Sequence, residues 1–497
     1  MKRKALSLIA GLLLLLPAAI GQRVLEIDLQ TAIRMATDSS LQAFRYKNQY
    51  MASYWEYRSY KADRLPSLSL QASPATYNRT LVSRYDSNQD ADLYRQQKSY
   101  SASGSLLLSQ NFAPLGGSFY LQTSVDYLRY FGATTYNQFS VVPIILGYRH
   151  NVLGYNEFRW DKKIEPMKYE AAKLQYLYNA EQVATQAVRY FFALATAQLQ
   201  YKRAVEQAAS CDSLLVTGER KQKIAAISKS DLLSLRLDAV NARNAVAQAE
   251  VQVRRATLNM TSFLGLNRNT DISVVLPGAP SLPSIDTQKA LDMMSRNSYL
   301  IMEKRRQVIE AERTLDKTSK TTRFNASVSA SVGFNQTAET ISDAYHDPLR
   351  KDVVSVSVSI PLVDWGVGRG HRNNARNNLN IARIDEQQTM SELEQDVIIT
   401  IAELGSRYSM MQSAEEALVL ADAVYRENKV RFLNGTCDMA MLSTSQQRLL
   451  SAQNGYIESM SNYWQCYYSL RQQTLFDFMS GFSLSDIFDF TEMENRR

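Results

Sequence analysis

The chain has 497 residues, and its 56 lysines and arginines against 49 aspartates and glutamates give a formal net charge of +7. A surface on which positive and negative charges are so nearly balanced argues against a nucleic-acid-binding protein. The three histidines and three cysteines are scattered and make no metal-ligand spacing with one another, so we expect neither a metal site nor a cofactor.

Residues 1–21 show the three-part pattern of a secretory signal peptide. A basic start is followed by an apolar run from Ala5 to Leu16, a helix-breaking proline and small residues at Ala19 and Gly21. The apolar run is shorter than the roughly 20 residues that a membrane-spanning helix needs. The pattern predicts export, with cleavage before Gln22.

The remaining sequence consists of two copies of one plan. The hexapeptide IDLQTA at residues 27–32 matches IDTQKA at residues 285–290. We predict a first repeat over residues 22–275, a proline-rich linker over 276–284, a second repeat over 285–480 and a C-terminal tail over 481–497. Each repeat is expected to run helix, β-region, long helix, turn, long helix. Pro143 matches Pro361 at a smaller offset, which we attribute to longer loops in the first copy.

Alternating apolar and polar residues predict strands in both repeats. The β-regions lie at about residues 66–147 and 323–362, with the clearest alternation at 325–334 and 352–362. The polar stretch 77–98 is interpreted as a long loop. Strands of about 9–11 residues with one apolar face suit a transmembrane barrel. A soluble sandwich is the alternative, which the small, uncharged polar face disfavours.

A chain that enters a barrel from one side and returns there crosses it an even number of times. The second repeat has room for two crossings and the first for up to four. Two hypotheses follow: six strands per subunit, or two crossings in the first repeat with a further hairpin outside the membrane, which we favour. The tyrosines of this region belong either to a membrane interface or to an ordinary core; they are Tyr120, Tyr127, Tyr130, Tyr136 and Tyr148.

Long stretches almost free of glycine and proline predict unusually long helices. They cover residues 167–217, 219–264, 371–434 and 436–480, and they are rich in good helix formers. Charged residues recur throughout, which excludes membrane-spanning helices. Seam-like apolar spacing predicts two antiparallel coiled-coil hairpins that turn near residues 218–228 and 434–438.

Three segments carry a resemblance to the TolC-like outer-membrane efflux proteins over essentially the whole mature chain. They are the helix at 285–300, the strand-to-helix segment 355–369 with IPLVDWG, and RFLNGT at 431–436. The resemblance implies a mainly α fold with membrane β-structure. Long antiparallel helical hairpins would form a periplasmic α-barrel, joined to a transmembrane β-barrel that a homotrimer shares, usually with four strands per subunit. It also implies outer-membrane lipid, a periplasmic adaptor (membrane fusion) protein and an inner-membrane transporter as partners.

The resemblance places gating and adaptor docking at the hairpin tips. Ser228 and Asp231 have the spacing of a capping box, Gly435 suits a left-handed turn and Asp438 suits a helix cap. Capping alone explains Ser228, while a gating ring of three Asp231 side chains is the second interpretation. Met441 stands where the family has an acid, so no acidic ring is expected from the second tip.

A second group of residues is predicted at the passage from barrel to tunnel. It consists of Pro143, Pro361, Asp364, Gly366 and Gly368. Residues 366–370 superficially match a dinucleotide loop, but the third glycine is missing and no βαβ unit surrounds them. We interpret the segment as a flexible passage that lets strands continue into helices.

The predicted function is passive export through the outer membrane, as the exit channel of a tripartite efflux or secretion system. The alternative is an envelope coiled-coil scaffold that forms no channel. No nucleophile–base pair, metal-ligand spacing or phosphate loop survives inspection, so an enzyme is not expected.

Overall fold

The computed structural model describes residues 25–87, 90–132, 135–152, 154–224, 227–434, 436–437 and 439–495. The predicted signal peptide lies outside the described residues. The chain divides into two compact units, which we call the helical unit (residues 1–50, 174–298 and 392–497) and the sheet unit (residues 51–173 and 299–391). Each unit takes segments from both sequence repeats, so neither repeat is a structural unit by itself.

The described residues of the first repeat form ten elements in chain order. They are β1 (Leu25–Ile27), α1 (Leu29–Ser39), α2 (Leu41–Ala62), β2 (Ser67–Asp86), β3 (Ala91–Phe112), β4 (Gly117–Phe131), β5 (Tyr136–Val152), α3 (Glu157–Lys223), α4 (Lys229–Leu264) and β6 (Ile272–Val274). The short strands β1 and β6 pair in parallel.

In the second repeat and the tail, the part of the chain that the structure describes forms eleven further elements. They are α5 (Thr287–Asn297), α6 (Tyr299–Thr321), β7 (Asn325–Ala338), α7 (Ile341–Ala344), β8 (Leu349–Ser359), α8 (Val367–Leu433), α9 (Met439–Thr474), β9 (Phe476–Asp477), β10 (Phe482–Ser483), α10 (Leu484–Ile487) and α11 (Phe490–Asn495). No helix within the described ranges has an apolar stretch long enough to cross a membrane.

The duplication is visible in the helix lengths. Helices α3 and α8 each have 67 residues, helices α4 and α9 each have 36, and both pairs start 210 positions apart. Helices α1 and α5 instead start 258 positions apart, so the first repeat holds 48 more residues between these points. The expectation that longer loops fill this difference is wrong, because the first repeat has four strands (β2 to β5) where the second has two (β7 and β8).

Helices α3 and α8 extend further than the sequence predicted, whereas α4 and α9 are shorter than their predicted stretches. Helix α3 begins at Glu157 and runs through Pro166, so proline did not mark its start. Pro166 is the tenth residue of α3, where it removes one backbone hydrogen bond of the helix. At about 1.5 Å per residue, α3 spans about 100 Å. The first hairpin turns after Lys223 and the second after Leu433.

The core of the helical unit lies along α3, where apolar residues occupy two adjacent stripes. Val183, Ala187, Phe191 and Leu194 are almost completely buried. Burial of a side chain of this kind stabilises the fold by about 1.5–3 kcal/mol for the larger ones. Nearer the tip the packed side chains are smaller, since Cys211 of α3 lies against two alanines of α4. Small residues there allow the two helices to approach closely.

The helices of the sheet unit are held together by rings and ion pairs. Tyr57 of α2 stacks on Tyr169 of α3 with ring centroids 4.5 Å apart. Arg313 of α6 lies 3.0 Å from Glu157 and 3.2 Å from Asp161, both on α3. These contacts fix the helices from which the strands leave and to which they return.

The six long strands form one antiparallel sheet in the order β2-β3-β4-β5-β7-β8. The interpretation of residues 77–98 as a loop is wrong, because β2 and β3 pair from Ser67–Ser109 to Asp86–Ala91 with one bulge. Strand β4 ends at Phe131, opposite Lys98, so the far part of the β2–β3 hairpin extends beyond its neighbour. In the second repeat β8 ends at Ser359, earlier than the predicted residue 362.

Candidate functional site

The junction of β8 and α8 is a capped helix start. The Asp364 carboxylate accepts hydrogen bonds from the backbone N–H groups of Gly366 and Gly368, each at 2.9 Å. These two backbone donors hold the pKa of Asp364 below its ordinary value. The Asp364 carbonyl also accepts from Val367 N at 3.0 Å. Asp364 therefore satisfies N–H groups that have no partner inside the helix.

The flexible passage predicted at residues 366–370 is not what the structure shows. Gly368 and Gly370 lie inside the first turn of α8, and only Gly366, with φ +90°, uses the freedom of glycine. Gly368 is required for close approach, since a β-carbon there would lie 2.8 Å from Asp364 Oδ2 and 3.2 Å from Thr322 Cβ. The passage is thus a fixed turn that ends in a cap.

Apolar side chains surround this turn and face solvent. Leu362 is 90% exposed, Trp365 is 95% exposed, and Val363 is also largely exposed. Pro361 precedes them, between the end of β8 and the cap. An exposed tryptophan beside the end of a strand is typical of a membrane–water interface.

Pro143 does not lie at a junction. It is inside β5, nine residues before the strand ends at Val152, and the pairing of β5 with β7 shifts between Val141 and Ile144. Proline has no N–H to donate to a neighbouring strand, so it is tolerated where a bulge interrupts the ladder. The predicted equivalence of Pro143 and Pro361 was therefore wrong, because one is a bulge residue and the other precedes a cap.

The two faces of the sheet differ in chemistry across all six strands. One row of directly paired residues on the first face consists of Leu68, Leu108, Leu121, Leu146, Val332 and Asp352. The adjacent row on the second face consists of Ser67, Ser109, Tyr120, Gly147, Ser331 and Val353. We call these the apolar face and the serine face. On β7 and β8 the serine face also carries Ser327, Ser329, Ser355 and Ser357.

Aromatic rings form two clusters on the apolar face. Near the helix-proximal end, Phe119 contacts Phe112 and Tyr148 with centroid distances of 5.8 and 4.5 Å. Near the far end, Tyr127 contacts Tyr100 and Phe139 at 6.1 and 4.8 Å. These two groups are the lower and upper aromatic clusters.

The tyrosines that the sequence left undecided divide between the two faces. Tyr127 and Tyr148 belong to the aromatic clusters of the apolar face. Tyr130 and Tyr136 stack on each other at 5.4 Å, and they share the serine face with Tyr120 according to the strand register.

The hairpin tips are described only in part. Ser228 directly precedes α4, and its carbonyl accepts from Leu232 N at 3.2 Å, as expected of a cap residue. Gly435 and Asp438 lie outside the described residues, as does the side chain of Asp231. Met441 lies on α9 and is exposed. The ring of Asp231 side chains stays a prediction.

A cleft of about 1310 Å³ lies between α3, α4, α8 and α9 and extends to the hairpin turns at Ile227 and Cys437. Its walls combine apolar side chains with uncharged polar ones, and the side-chain amide of Gln446 on α9 donates to that of Gln207 on α3. Arg243 and Asp212 pair at 2.8 Å between α3 and α4 in the same region. The cleft shows how the two hairpins are linked by amides.

The sequence did not reveal a buried ion cluster in the helical unit. Arg471 of α9 donates to Glu181 of α3 and to Asp477 of β9, each at 3.0 Å, and the Tyr467 hydroxyl also donates to Asp477. Burial raises the pKa of Glu181, and Arg471 opposes this shift. Burial also works against ionisation of Asp477, but Tyr467 and Arg471 outweigh it and lower its pKa. The sequence feature that could have revealed this cluster was Glu181, a glutamate within the buried apolar stripes of α3.

Comparison with known families identifies the second repeat. Residues 301–474 match the family model described as outer membrane efflux protein. This segment is similar to the outer membrane efflux protein family. The predicted resemblance to TolC-like efflux proteins is thereby confirmed, and the matched segment runs from α6 to the end of α9. The comparison with curated protein sequences gives no significant match.

Solved structures share the fold of this chain over both repeats. A membrane protein from Pseudomonas aeruginosa aligns with a TM-score of 0.64 and 12% identity, covering 91% of each chain. The CmeC outer membrane channel of Campylobacter jejuni aligns with a TM-score of 0.66 and 11% identity, covering 93% of this chain and 88% of CmeC. VceC from Vibrio cholerae aligns with a TM-score of 0.61 and 13% identity, covering 91% and 96%. At these identities the likeness establishes the fold.

Proposed function

We propose that this protein is the outer-membrane channel of a tripartite efflux or secretion system, through which substrates pass passively to the exterior. The observation that carries the proposal is the sheet, which has one apolar and one serine face and continues through a capped junction into α8. A sheet of this kind suits a wall between lipid and a water-filled lumen. The efflux family match over residues 301–474 supports the same function.

The open edges of the sheet support assembly from several copies. Strands β2 and β8 each have a single neighbour in the sheet, and six strands are fewer than the eight of the smallest membrane barrels. An unpaired strand edge in lipid is costly because its backbone groups lack partners. The family resemblance implies a homotrimer, with the long helices in the periplasm. The adaptor and the inner-membrane transporter would meet the hairpin tips around Ser228 and Met441.

The test places one arginine on each face of β4. Leu121 lies on the apolar face and its neighbour Gln122 on the serine face. Arginine facing lipid costs about 2–4 kcal/mol at the bilayer midplane and less towards the interfaces, so Leu121→Arg, two residues from the lower aromatic cluster, should measurably reduce insertion into vesicles. The matched control Gln122→Arg should insert like the wild type.

Conductance then separates the channel from the alternative scaffold. Detergent-extracted protein with about three times the subunit mass, after correction for bound detergent, should give discrete conductance steps in planar bilayers. Equal insertion of both arginine variants, or a trimer that never conducts, would support the coiled-coil scaffold instead.

A further inference from the structure

We propose that the barrel wall of this channel contains eighteen strands, six from each of three subunits, and that it admits bulky hydrophilic solutes too wide for a twelve-stranded wall. This inference rests on the proposed channel function and deepens it. It departs from the four strands per subunit that the family resemblance implies. Four observations support it, namely the pairing of β3, the apolar row, the aromatic clusters and the serine face.

The added strands are built into the sheet and do not hang beside it. Strand β3 pairs with β4 over the entire length of β4, from Phe112–Gly117 to Lys98–Phe131. A twelve-stranded wall would need β4 as its edge, so β3 would have to leave all of these pairs. The edge that is free for a second copy of the chain is β2, which runs antiparallel to β8, as closure of the ring requires.

The apolar row continues through the added strands. Leu68 of β2 and Leu108 of β3 pair directly and align with Leu121 of β4. Leu68 is 69% exposed and Leu70, on the same face, is 71% exposed. Large apolar patches exposed on a surface mark contact with another molecule or with a membrane. Since the row does not stop at β4, lipid covers β2 and β3 as it covers the other strands.

The aromatic clusters set the depth of the crossing. Phe119 and Tyr127 are eight residues apart on β4, about 27 Å along the strand and about 21 Å after a tilt of about 40°. The apolar band of such barrels is about 25 Å tall and flanked by aromatic girdles. Tyr100 of β3 belongs to the upper cluster and pairs with Tyr77 of β2. Residues 68–77 therefore span the band with ten residues, the length of one crossing.

The remainder of the β2–β3 hairpin projects outside the membrane. Beyond Lys98 and Arg79 the two strands continue without β4 beside them. In this proposal, the hairpin that the sequence analysis placed outside the membrane is the tip of two strands that also cross it.

The strand number determines the width of the wall. With strands about 4.8 Å apart and tilted about 40°, twelve strands give a backbone diameter of about 24 Å and eighteen give about 36 Å. The enclosed cross-section then grows about 2.2-fold. On β7 and β8 the serine face keeps this gain, because serine side chains fill little of the lumen, whereas Tyr120, Tyr130 and Tyr136 of each subunit project from the same face and take up part of it. Because this face is mostly uncharged, the wall discriminates among solutes by their size more than by their charge.

Cysteine pairs on the serine face test which strand meets the neighbouring subunit. Ser69→Cys on β2 is combined with Ser355→Cys or Ser357→Cys on β8, and Ser124→Cys on β4 is the matched alternative. An eighteen-stranded wall gives oxidative cross-links between subunits for β2 with β8 and none for β4 with β8. Cross-links only between β4 and β8 overturn the proposal. Single-cysteine variants control for the native thiols.

Polymer exclusion tests the width by itself. Deletion of residues 67–116 joins Pro66 to Gly117 at the same end of the sheet and leaves four strands per subunit. Polyethylene glycol added on the exterior side lowers conductance when it is small enough to enter the barrel. We expect the largest polymer that does so to be about 1.5 times wider for the full chain than for the deletion variant. Equal size limits overturn the proposal. If neither protein conducts but β2 and β8 still cross-link in a trimer, the result supports the eighteen-stranded wall and refutes the proposed channel function.

Discussion

Replacement of Arg471 by methionine should strongly destabilise the helical unit. Arg471 is the charged partner of Glu181, whose side chain is buried, whereas Asp477 would keep three other donors. Those donors are the Tyr467 hydroxyl and the backbone N–H groups of Met479 and Ser480. The variant therefore removes the cation from both carboxylates, but Asp477 keeps hydrogen-bond donors at Oδ1, so the larger cost falls on the buried Glu181.

The expected cost follows from the burial of the pair. Removal of one partner of a buried ion pair costs about 3–5 kcal/mol, and we expect about 3 kcal/mol because the Arg471 side chain is still 21% exposed. This corresponds to a change on the order of 100-fold in the unfolding equilibrium. Guanidinium unfolding in detergent, followed by far-UV circular dichroism, measures it. Arg426→Met is the matched control, since that arginine pairs with Asp422 on the surface of α8 and should change stability by at most about 0.5 kcal/mol.

The pH dependence identifies the cause. A carboxyl group whose pKa is raised in the folded state lowers stability as pH rises above its unfolded value, and loss of Arg471 raises the pKa of Glu181 further. The Arg471→Met variant should thus lose less stability at about pH 5 than at about pH 8. The double variant Glu181→Gln/Arg471→Met should recover most of the loss. A defect that is the same at both pH values and in the double variant would refute the buried-charge explanation.

Three further outcomes follow from local geometry. Gly333→Ala should destabilise the sheet by about 1–3 kcal/mol, because its β-carbon would overlap a backbone carbonyl of β5, whereas Gly104→Ala meets nothing within 4 Å; unfolding midpoints compare the two. Burial raises the pKa of Cys466 to about 11, so maleimide should label the half-buried Cys437 first and Cys466 only after unfolding, as peptide mass spectrometry can show. Asp364→Ala should speed hydrogen exchange in the first turn of α8, and exchange unchanged from wild type would contradict its capping role.

The sequence predicted the helices well because their signal is local and repeated. Long runs of helix formers without glycine or proline located all four long helices, but several of their ends were misjudged. Pro166 is the tenth residue of α3, and Gly368 and Gly370 lie in the first turn of α8. The polar strand segments at 77–98 were missed for a different reason. They project past the neighbouring strand, have no buried side, and therefore lack the alternation by which a strand is recognised.

The sites depend on contacts that sequence patterns do not encode. Glu181 and Arg471 are 290 positions apart, and neither local sequence indicates that the two residues form a pair. Pro143 was misplaced because a proline at a bulge and a proline beside a helix look alike in sequence. Asp364 and Gly366 were located correctly at the β8–α8 junction, but their roles as cap and left-handed turn required the backbone geometry.

The equal lengths of the paired helices reveal where this molecule tolerates change. The two repeats follow one plan, so each could gain or lose residues in the same places. Helix α3 nevertheless has the same length as α8, and α4 has the same length as α9. One extra residue in a helix turns everything beyond it by about 100° around the helix axis, which would rotate a packed stripe out of its partner's groove. A strand pair added to a sheet edge leaves the phase of every helix untouched. The 48-residue difference between the halves lies in the part of the chain where insertion leaves that phase unchanged.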